Sequence, residues 1–168
     1  MQQADPRRAL IALLPDLRGY ARFLVRDISE ADDLVQEAIT RALAALPQFQ
    51  DGTNLRAWTF TILRNAFFEQ ARRQRTERVA IAQSFAPDEA GGGEQDGHLA
   101  LSELQVHLFA LPALLRDALV LVGAQGLSYE DAATVCGVPV GTVKARVSRA
   151  RTQLACAIGQ TIKPGQPM

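Results

Sequence analysis

The chain has 168 residues, which allows one ordinary domain or two small ones. Lys and Arg together number 18, as do Asp and Glu, and 48% of the residues are apolar. This composition is typical of a globular protein and excludes a disordered chain. No run approaches the roughly 20 apolar residues of a membrane span, and Asp5, Pro6, Asp16 and Arg18 interrupt the N-terminal segment. That segment is not a secretory signal, so we expect a cytoplasmic protein.

The first two helices have recognisable starts. Asp5 followed by Pro6 predicts the start of the first helix, which Pro15 is expected to kink. Ser29, with Asp32 three residues later, predicts the start of the second. No segment has the alternating pattern of a strand.

A third helix is predicted from Asn54, as its cap, to about Arg78. The spacing places five residues on its main inward face: Leu55, Trp58, Ile62, Ala66 and Phe67. Phe60 and Phe68 fall beside this face, so we expect both to be partly exposed.

The chain divides at residues 84–98, which read SFAPDEAGGGEQDGH. Three consecutive glycines, a proline and four acids cannot form a core face, so this segment predicts a flexible acidic linker. The predicted division is a domain over residues 1–80, a linker over 81–98 and a second domain over 99–163. Both domains are expected to be helical, which makes the fold all-α.

The second half begins with two predicted helices, one from Leu99 to Leu111 and one opened by Pro112 and ending near Gly123. The next helix is expected to be capped by Ser128, with Asp131 three residues on.

Gly137 then predicts a turn, and Val140 begins a last helix that ends near Ile158. A helix, a glycine-containing turn and a second helix predict a helix-turn-helix unit.

The last helix has two distinct faces. At about 100° per residue, an apolar stripe is formed by Val143, Val147, Ala150 and Leu154. The other face carries small and hydroxyl residues with cations around them: Gly141, Thr142, Lys144, Ala145, Arg146, Ser148, Arg149, Arg151 and Thr152. Such a face can enter the major groove of DNA. The alternative is a solvated helix whose cations favour its C-terminal end.

A second basic surface is predicted on the third helix. The helix has only two acids but six arginines, which are Arg56, Arg64, Arg72, Arg73, Arg75 and Arg78. Aromatic residues lie close to these charges, a combination that suits single-stranded nucleic acid. The preceding loop at 49–53 has the small and polar residues of a pocket for a flipped-out base, or is an ordinary connection.

The stretch SEADDLVQEA, residues 29–38, is acidic and has no cation. Acids in a first helical turn complement the helix dipole, and this alone explains them adequately. The other interpretation is a docking surface for a protein partner.

Bacterial sigma factors have two regions that this chain resembles. Their region two is similar to residues 32–65, which read DDLVQEAITRALAALPQFQDGTNLRAWTFTILRN. Their region four is similar to residues 111–151, which read LPALLRDALVLVGAQGLSYEDAATVCGVPVGTVKARVSRAR. Together the segments resemble the two-domain extracytoplasmic-function group, and residues 122–151 look most like the general-stress-response type of alphaproteobacteria.

The resemblance implies a role for each surface. The core RNA polymerase would be bound through Asp33, Leu34, Gln36, Glu37 and Arg41. The minus-ten promoter element would be bound through Phe49, Gln50, Asp51, Gly52, Thr53, Arg64, Asn65, Arg72, Arg73 and Arg75. The minus-thirty-five element would be bound through Thr142, Lys144, Ala145, Arg146, Ser148, Arg149 and Arg151. An anti-sigma factor is a further implied partner, and stress-response genes are the implied targets.

One departure concerns the two positions before the helix-turn-helix. Many members of the family carry a charge there, where this chain has Val122 and Gly123. This puts one contact to the DNA backbone in doubt.

Other function classes fit less well. A sigma-mimicking protein would sequester an anti-sigma factor without binding DNA, but such proteins lack recognition-helix cations. An enzyme is disfavoured because His98 and His107 have no nucleophile or carboxylate constellation near them in the sequence. A stand-alone repressor would leave the acidic stretch without a purpose.

The two cysteines, Cys136 and Cys156, have neither a CxxC neighbour nor a histidine at metal-ligand spacing. We expect reduced, small apolar side chains, and no metal or cofactor.

Overall fold

The structure is a computed structural model that describes residues 5–50, 52–84 and 103–159, the side chains of 82–84 and 103 excepted. All regular elements in these ranges are helical, so the all-α fold is confirmed. Asp51, most of the predicted linker with His98, and the start of the helix predicted from Leu99 lie outside the described residues.

The N-terminal segment forms two helices. The first, α1, spans Pro6–Ala12, and a carboxylate oxygen of Asp5 accepts a hydrogen bond from the Arg7 N–H at 3.0 Å, which confirms the predicted cap. The second, α2, spans Leu14–Leu24. Pro15 therefore separates two helices rather than kinking one, because it lies in the first turn of α2, where its missing N–H costs nothing.

The acidic stretch lies on α3, which spans Ile28–Ala45. Its cap is Asp27, whose Oδ1 accepts from the Glu30 N–H at 2.9 Å. The predicted cap at Ser29 is wrong. Asp27, two residues earlier in the chain, is the capping residue, so the helix begins at Ile28 and Ser29 lies inside it. A short 3₁₀ turn at Leu46–Gln48 follows.

The longest helix, α4, spans Leu55–Ser84 and extends beyond the predicted end near Arg78. Oδ1 of Asn54 accepts from the Ala57 N–H at 3.2 Å, as the sequence predicts. From Ala71 to Ile81 the helix is exposed, so its C-terminal half contributes surface rather than core.

The second half contains α5 (Glu103–Ala110), α6 (Ala113–Leu119), α7 (Tyr129–Cys136) and α8 (Val140–Ala157). The helix predicted from Pro112 to Gly123 continues past α6 as a wide π turn, Val120–Ala124.

Two predicted features hold the helix-turn-helix. The Ser128 hydroxyl oxygen accepts from the Asp131 N–H at 3.0 Å and so begins α7. Gly137 has φ 66°, in the left-handed region that glycine adopts at low cost, and ends it. Both predictions are confirmed.

One continuous core joins the two halves. Leu17, Tyr20 and Phe60 of the first half belong to the same buried cluster as Leu121 and Val143 of the second. On the first-half side α4 packs against α3, and its other side packs against α7. The linker therefore connects halves that are already in contact.

Phe60 corrects an expectation. It is 0% exposed rather than partly exposed, because its ring stacks on Tyr20 at 5.1 Å and Arg56 lies over it at 5.2 Å. The predicted inward face is correct at Ala66 only, since Leu55, Trp58, Ile62 and Phe67 are half-buried. The buried residues are Ala57, Thr59, Phe60, Leu63 and Ala66, because α4 packs against both α3 and α7 and periodicity along one helix describes a single face. Phe68, under the Arg64 guanidinium at 4.5 Å, is half-buried, as expected.

Candidate nucleic-acid and polymerase interface

The α8 helix presents the two faces that its sequence predicts. Its inward face is buried at Val143, Val147 and Ala150 and half-buried at Leu154. The following residues are exposed on the rest of the helix: Gly141, Lys144, Ser148, Arg149, Arg151 and Thr152. Thr142 and Ala145 are half-buried among them. Small and hydroxyl side chains flanked by cations can lie in a major groove with the cations at the phosphates.

Arg146 is oriented differently from the other α8 cations. It is half-buried, and its Nη1 is buried without a hydrogen-bond partner among the described residues. A phosphate contact by Arg146, as the resemblance implies, would have to use the N–H groups of the guanidinium other than those of Nη1.

The α4 arginines fall into two groups. Arg72, Arg73 and Arg75 are exposed on the projecting half of the helix, where they can follow a phosphate backbone. Arg64 is not available in the same way, because its side chain is 11% exposed and pairs with Asp117 of α6. The sequence places all four on one basic surface, whereas the structure separates Arg64 from it.

The loop before α4 borders a cleft of about 520 Å³. Phe49 and Trp58 line one side, with their ring centres 5.1 Å apart, and Thr53 lies beside them with its hydroxyl donating to the Gln50 carbonyl at 2.8 Å. Aromatic rings with amide and hydroxyl groups can take a base. Asn65 is exposed further along α4 and does not line the cleft.

Residues of the second half also border this cleft. Asp131 and Thr134 of α7 lie opposite the loop. The helix-turn-helix therefore covers one side of the candidate base pocket. The loop itself turns at Gly52, whose φ of 91° lies in the left-handed region that glycine adopts at low cost.

A buried carboxylate lies at the centre of the contact between the halves. Asp117 is 0% exposed. Its Oδ1 accepts from the Tyr20 hydroxyl at 2.5 Å and its Oδ2 from Nε of Arg64 at 2.7 Å, while the Cys136 thiol lies 3.8 Å from Oδ2. Asp117 is not among the candidate site residues predicted from the sequence. Its signal was one acid in an apolar stretch, LLRDALVLV.

The ionisation of these groups reflects their burial. Burial raises the pKa of Tyr20 well above its usual value, and the Asp117 charge adds to the rise. Burial also raises the pKa of the Cys136 thiol to about 11, again with a contribution from Asp117. For Arg64, burial acts to lower the pKa, but the charge and hydrogen bond of Asp117 outweigh it and the pKa is raised. The cluster therefore keeps the Tyr20 phenol and the Cys136 thiol neutral at ordinary pH beside the salt bridge of Arg64 with Asp117.

The candidate polymerase surface on α3 contains two exposed residues, Asp33 and Gln36. Glu37 and Arg41 are instead bonded to each other at 2.6 Å, and Gln70 of α4 donates to the other Glu37 oxygen at 2.5 Å. Leu34 is 1% exposed and belongs to the core, so a contact with polymerase through its side chain is not possible in this arrangement.

In the part of the chain that the structure describes, no three His, Cys, Asp or Glu side chains are placed to hold a metal ion. No described helix combines the length and the apolar character that spanning a membrane demands. Both cysteines are free: Cys136 is buried, which fits the expected small apolar side chain, whereas Cys156 is exposed and does not.

Comparison with known proteins agrees with these features. Residues 10–77 match the family Sigma-70 region 2, and residues 103–154 match Sigma-70, region 4. The ECF RNA polymerase sigma factor EcfG of Rhodopseudomonas palustris is 46% identical over 152 residues, which cover 90% of this chain and 84% of that protein.

Two solved structures are also similar. The sigma factor RpoE in complex with the anti-sigma factor NepR from Bartonella quintana has a TM-score of 0.78 at 41% identity, covering 92% of this chain and 96% of that one. CnrH in complex with the cytosolic domain of CnrY has a TM-score of 0.65 at 26% identity, covering 92% and 90%. The resemblance noted in the sequence is thereby confirmed. The chain belongs to the extracytoplasmic-function group of the sigma-70 family of RNA polymerase sigma factors.

Proposed function

We propose that this chain is an alternative sigma factor that brings core RNA polymerase to the promoters of stress-response genes. The observation that carries this proposal is the cationic, groove-compatible face of α8 on a glycine-turned helix-turn-helix. Such a face indicates a protein that binds duplex DNA. The family to which the chain belongs acts in transcription initiation.

Each surface receives one role in this proposal. The α8 face, with Lys144, Arg149 and Arg151 exposed, reads the minus-thirty-five element. The Phe49–Trp58 cleft takes a flipped base of the minus-ten element, while the α4 arginines hold the backbone. Asp51, which is also predicted to bind the minus-ten element, lies outside the described residues.

The polymerase contact is assigned to the exposed part of α3. Asp33 and Gln36 are free to meet a partner surface, and Glu37 and Arg41 hold α3 against α4 behind them. The chain performs no bond chemistry itself, since the polymerase does so. A factor with these partners works in the cytoplasm.

An anti-sigma factor is a further proposed partner. Support comes from the solved relative RpoE, which is bound to the anti-sigma factor NepR and is 41% identical to this chain. A sigma mimic is disfavoured because the recognition-face cations are present and exposed.

The test is transcription from a promoter library with purified core polymerase and this protein, with the start sites read by sequencing. We expect starts at a shared pair of promoter elements, absent with core alone. Starts that do not depend on the protein, together with capture of an anti-sigma factor, would favour the mimic.

A further inference from the structure

The surface of the first half that faces α6 and α7 is polar at its centre. Tyr20 and Arg64 converge on the Asp117 carboxylate, and each bond crosses from one half of the chain to the other. These bonds exist only in the closed arrangement, and removing one partner would leave the others buried and unpaired, which disfavours closure.

A second polar contact crosses the same boundary. The Arg56 guanidinium donates to the Gln125 carbonyl at 2.7 Å and pairs with Asp16 at 3.1 Å. It therefore ties α4 both to α2 and to the segment before α7. Two arginines of α4 are thus engaged by groups of the second half.

We propose that Asp117 acts as an intramolecular substitute for a promoter phosphate, which keeps Arg64 and the adjoining cleft of the first half from the promoter strand until DNA displaces it. The inference rests on the proposed function and concerns the regulation of the same site. A carboxylate and a phosphate both accept charge-assisted hydrogen bonds from a guanidinium. Nε of Arg64 already donates to Asp117 at 2.7 Å, so the same N–H cannot donate to a phosphate at the same time.

The closed arrangement blocks the two DNA surfaces unequally. Asp131 and Thr134 of α7 line the Phe49–Trp58 cleft, so the Asp131 carboxylate adds an acid at the edge of the candidate base pocket. By contrast, Lys144 and Arg149 of α8 stay exposed. Closure therefore occupies Arg64 and borders the cleft, whereas Arg72, Arg73 and Arg75 and the duplex-reading helix remain accessible.

This asymmetry defines the experiment. The full chain carrying Cys156→Ser serves as the parent, so that Cys136 is its one thiol. Asp117→Asn removes the anion at constant shape, and Tyr20→Phe removes one donor while keeping the ring that stacks on Phe60. Glu130→Gln is the matched control, because it makes the same charge change at an exposed position of α7.

Two readouts are compared at low salt. The first is fluorescence anisotropy with labelled random-sequence DNA, single-stranded or duplex of equal length; random sequence suffices because backbone binding is independent of sequence. We expect Asp117→Asn to tighten single-strand binding about tenfold by raising the open fraction, with a clearly smaller gain for duplex. Tyr20→Phe should give a smaller gain of the same kind, and Glu130→Gln none.

The second readout is the rate at which a maleimide modifies Cys136. This thiol lies beside Asp117 in the closed form, so opening should speed its modification in parallel with the binding gain. Unchanged single-strand affinity and thiol reactivity in variants of normal helicity, or equal gains in Glu130→Gln, would overturn the proposal. If Asp117→Asn loses helicity, the same two measurements on Tyr20→Phe decide whether the proposal holds.

The result is separable from the proposed function. Neither readout contains polymerase or a promoter, so a failure of promoter-directed transcription would leave the comparison standing. Conversely, a chain that directs transcription but shows no effect of Asp117→Asn on binding or thiol reactivity would retain its function and lose the intramolecular competitor.

Discussion

Nη1 of Arg41 donates a hydrogen bond to Oε2 of Glu69 at 2.9 Å, and this contact joins α3 to α4. The bond to Glu69 raises the pKa of Arg41, and Glu37 holds the other side of the guanidinium. Residues that the sequence assigns to the polymerase surface therefore also maintain the first half of the molecule. Partner contact and internal support can be separated by substitution along α3.

The first prediction concerns the exposed pair on α3. Replacing Asp33 and Gln36 together by Arg should weaken capture of core polymerase about tenfold or more, roughly 1.4 kcal/mol, in a pull-down or titration. Unfolding stability should change by less than about 0.5 kcal/mol, because both side chains are exposed. Glu37→Gln is the contrasting variant, expected to lower stability by up to about 1 kcal/mol through a partly exposed pair. Unchanged capture would mean that the acids of residues 29–38 only complement the helix dipole and do not bind polymerase.

The second prediction concerns the recognition face. Reversing Lys144 and Arg149 to Glu should abolish run-off transcription from a dependent promoter, because like charges would meet the phosphates. Core capture should be retained, since these side chains lie on α8. Arg7→Glu with Arg8→Glu makes the same charge change on exposed α1 and should preserve transcription. Continued initiation at the same start site by the α8 variant would contradict the assignment.

The third prediction is a dependence of stability on pH. The pKa of Cys136 is raised to about 11 in the folded chain, so the neutral thiol is favoured by folding. Its contribution is present below pH about 9, the ordinary value, and is lost as the pH rises towards 11. We expect denaturant unfolding to show a decline of about 2 to 3 kcal/mol over that range.

Cys136→Ala in the Cys156→Ser background supplies the control for this decline. It should remove the decline between pH about 9 and 10 and leave the part above pH about 10, where the raised pKa of Tyr20 also lowers stability, at the cost of a lower stability near neutrality from lost packing. An identical slope with and without Cys136 would show that another group is responsible.

The fourth prediction concerns the turn of the helix-turn-helix. Gly137→Ala should lower stability by about 1 kcal/mol, because φ 66° is strained for a residue with a side chain. No atom lies within 4 Å of the position a Cβ would take, so the cost is conformational rather than steric. Gly137→Asn should recover part of it, and Gly141→Ala, with no neighbour and no positive φ, should be neutral or stabilising. Thermal unfolding measures all three, and equal effects at both glycines would contradict the explanation.

The fifth prediction separates two phenylalanines of α4. Phe60→Ala should cost about 3 to 5 kcal/mol in unfolding free energy, because the ring is fully buried against Tyr20. Phe68→Ala should cost clearly less, since Phe68 is half-buried. Similar losses for both would show that the two rings are equally buried in solution.

The sequence alone was sufficient for the helical fold, its family and most local boundaries. Asn54, Ser128 and Gly137 predict where helices begin and end because capping and left-handed turns depend on neighbouring residues only. The faces of α8 were predictable for the same reason, since helical periodicity is local. Ser29 failed as a cap because Asp27, an equally good acceptor, lies nearby.

Only the tertiary structure decided which of the candidate residues are free. Phe60 is buried against Tyr20 of another helix, and Arg64 pairs with Asp117, which lies 53 residues away in the sequence. Periodicity carries no information about such distant partners, because a single apolar stripe accounts for one packing face while α4 has two. A lone acid within an apolar helix becomes interpretable once the arginine that meets it is known.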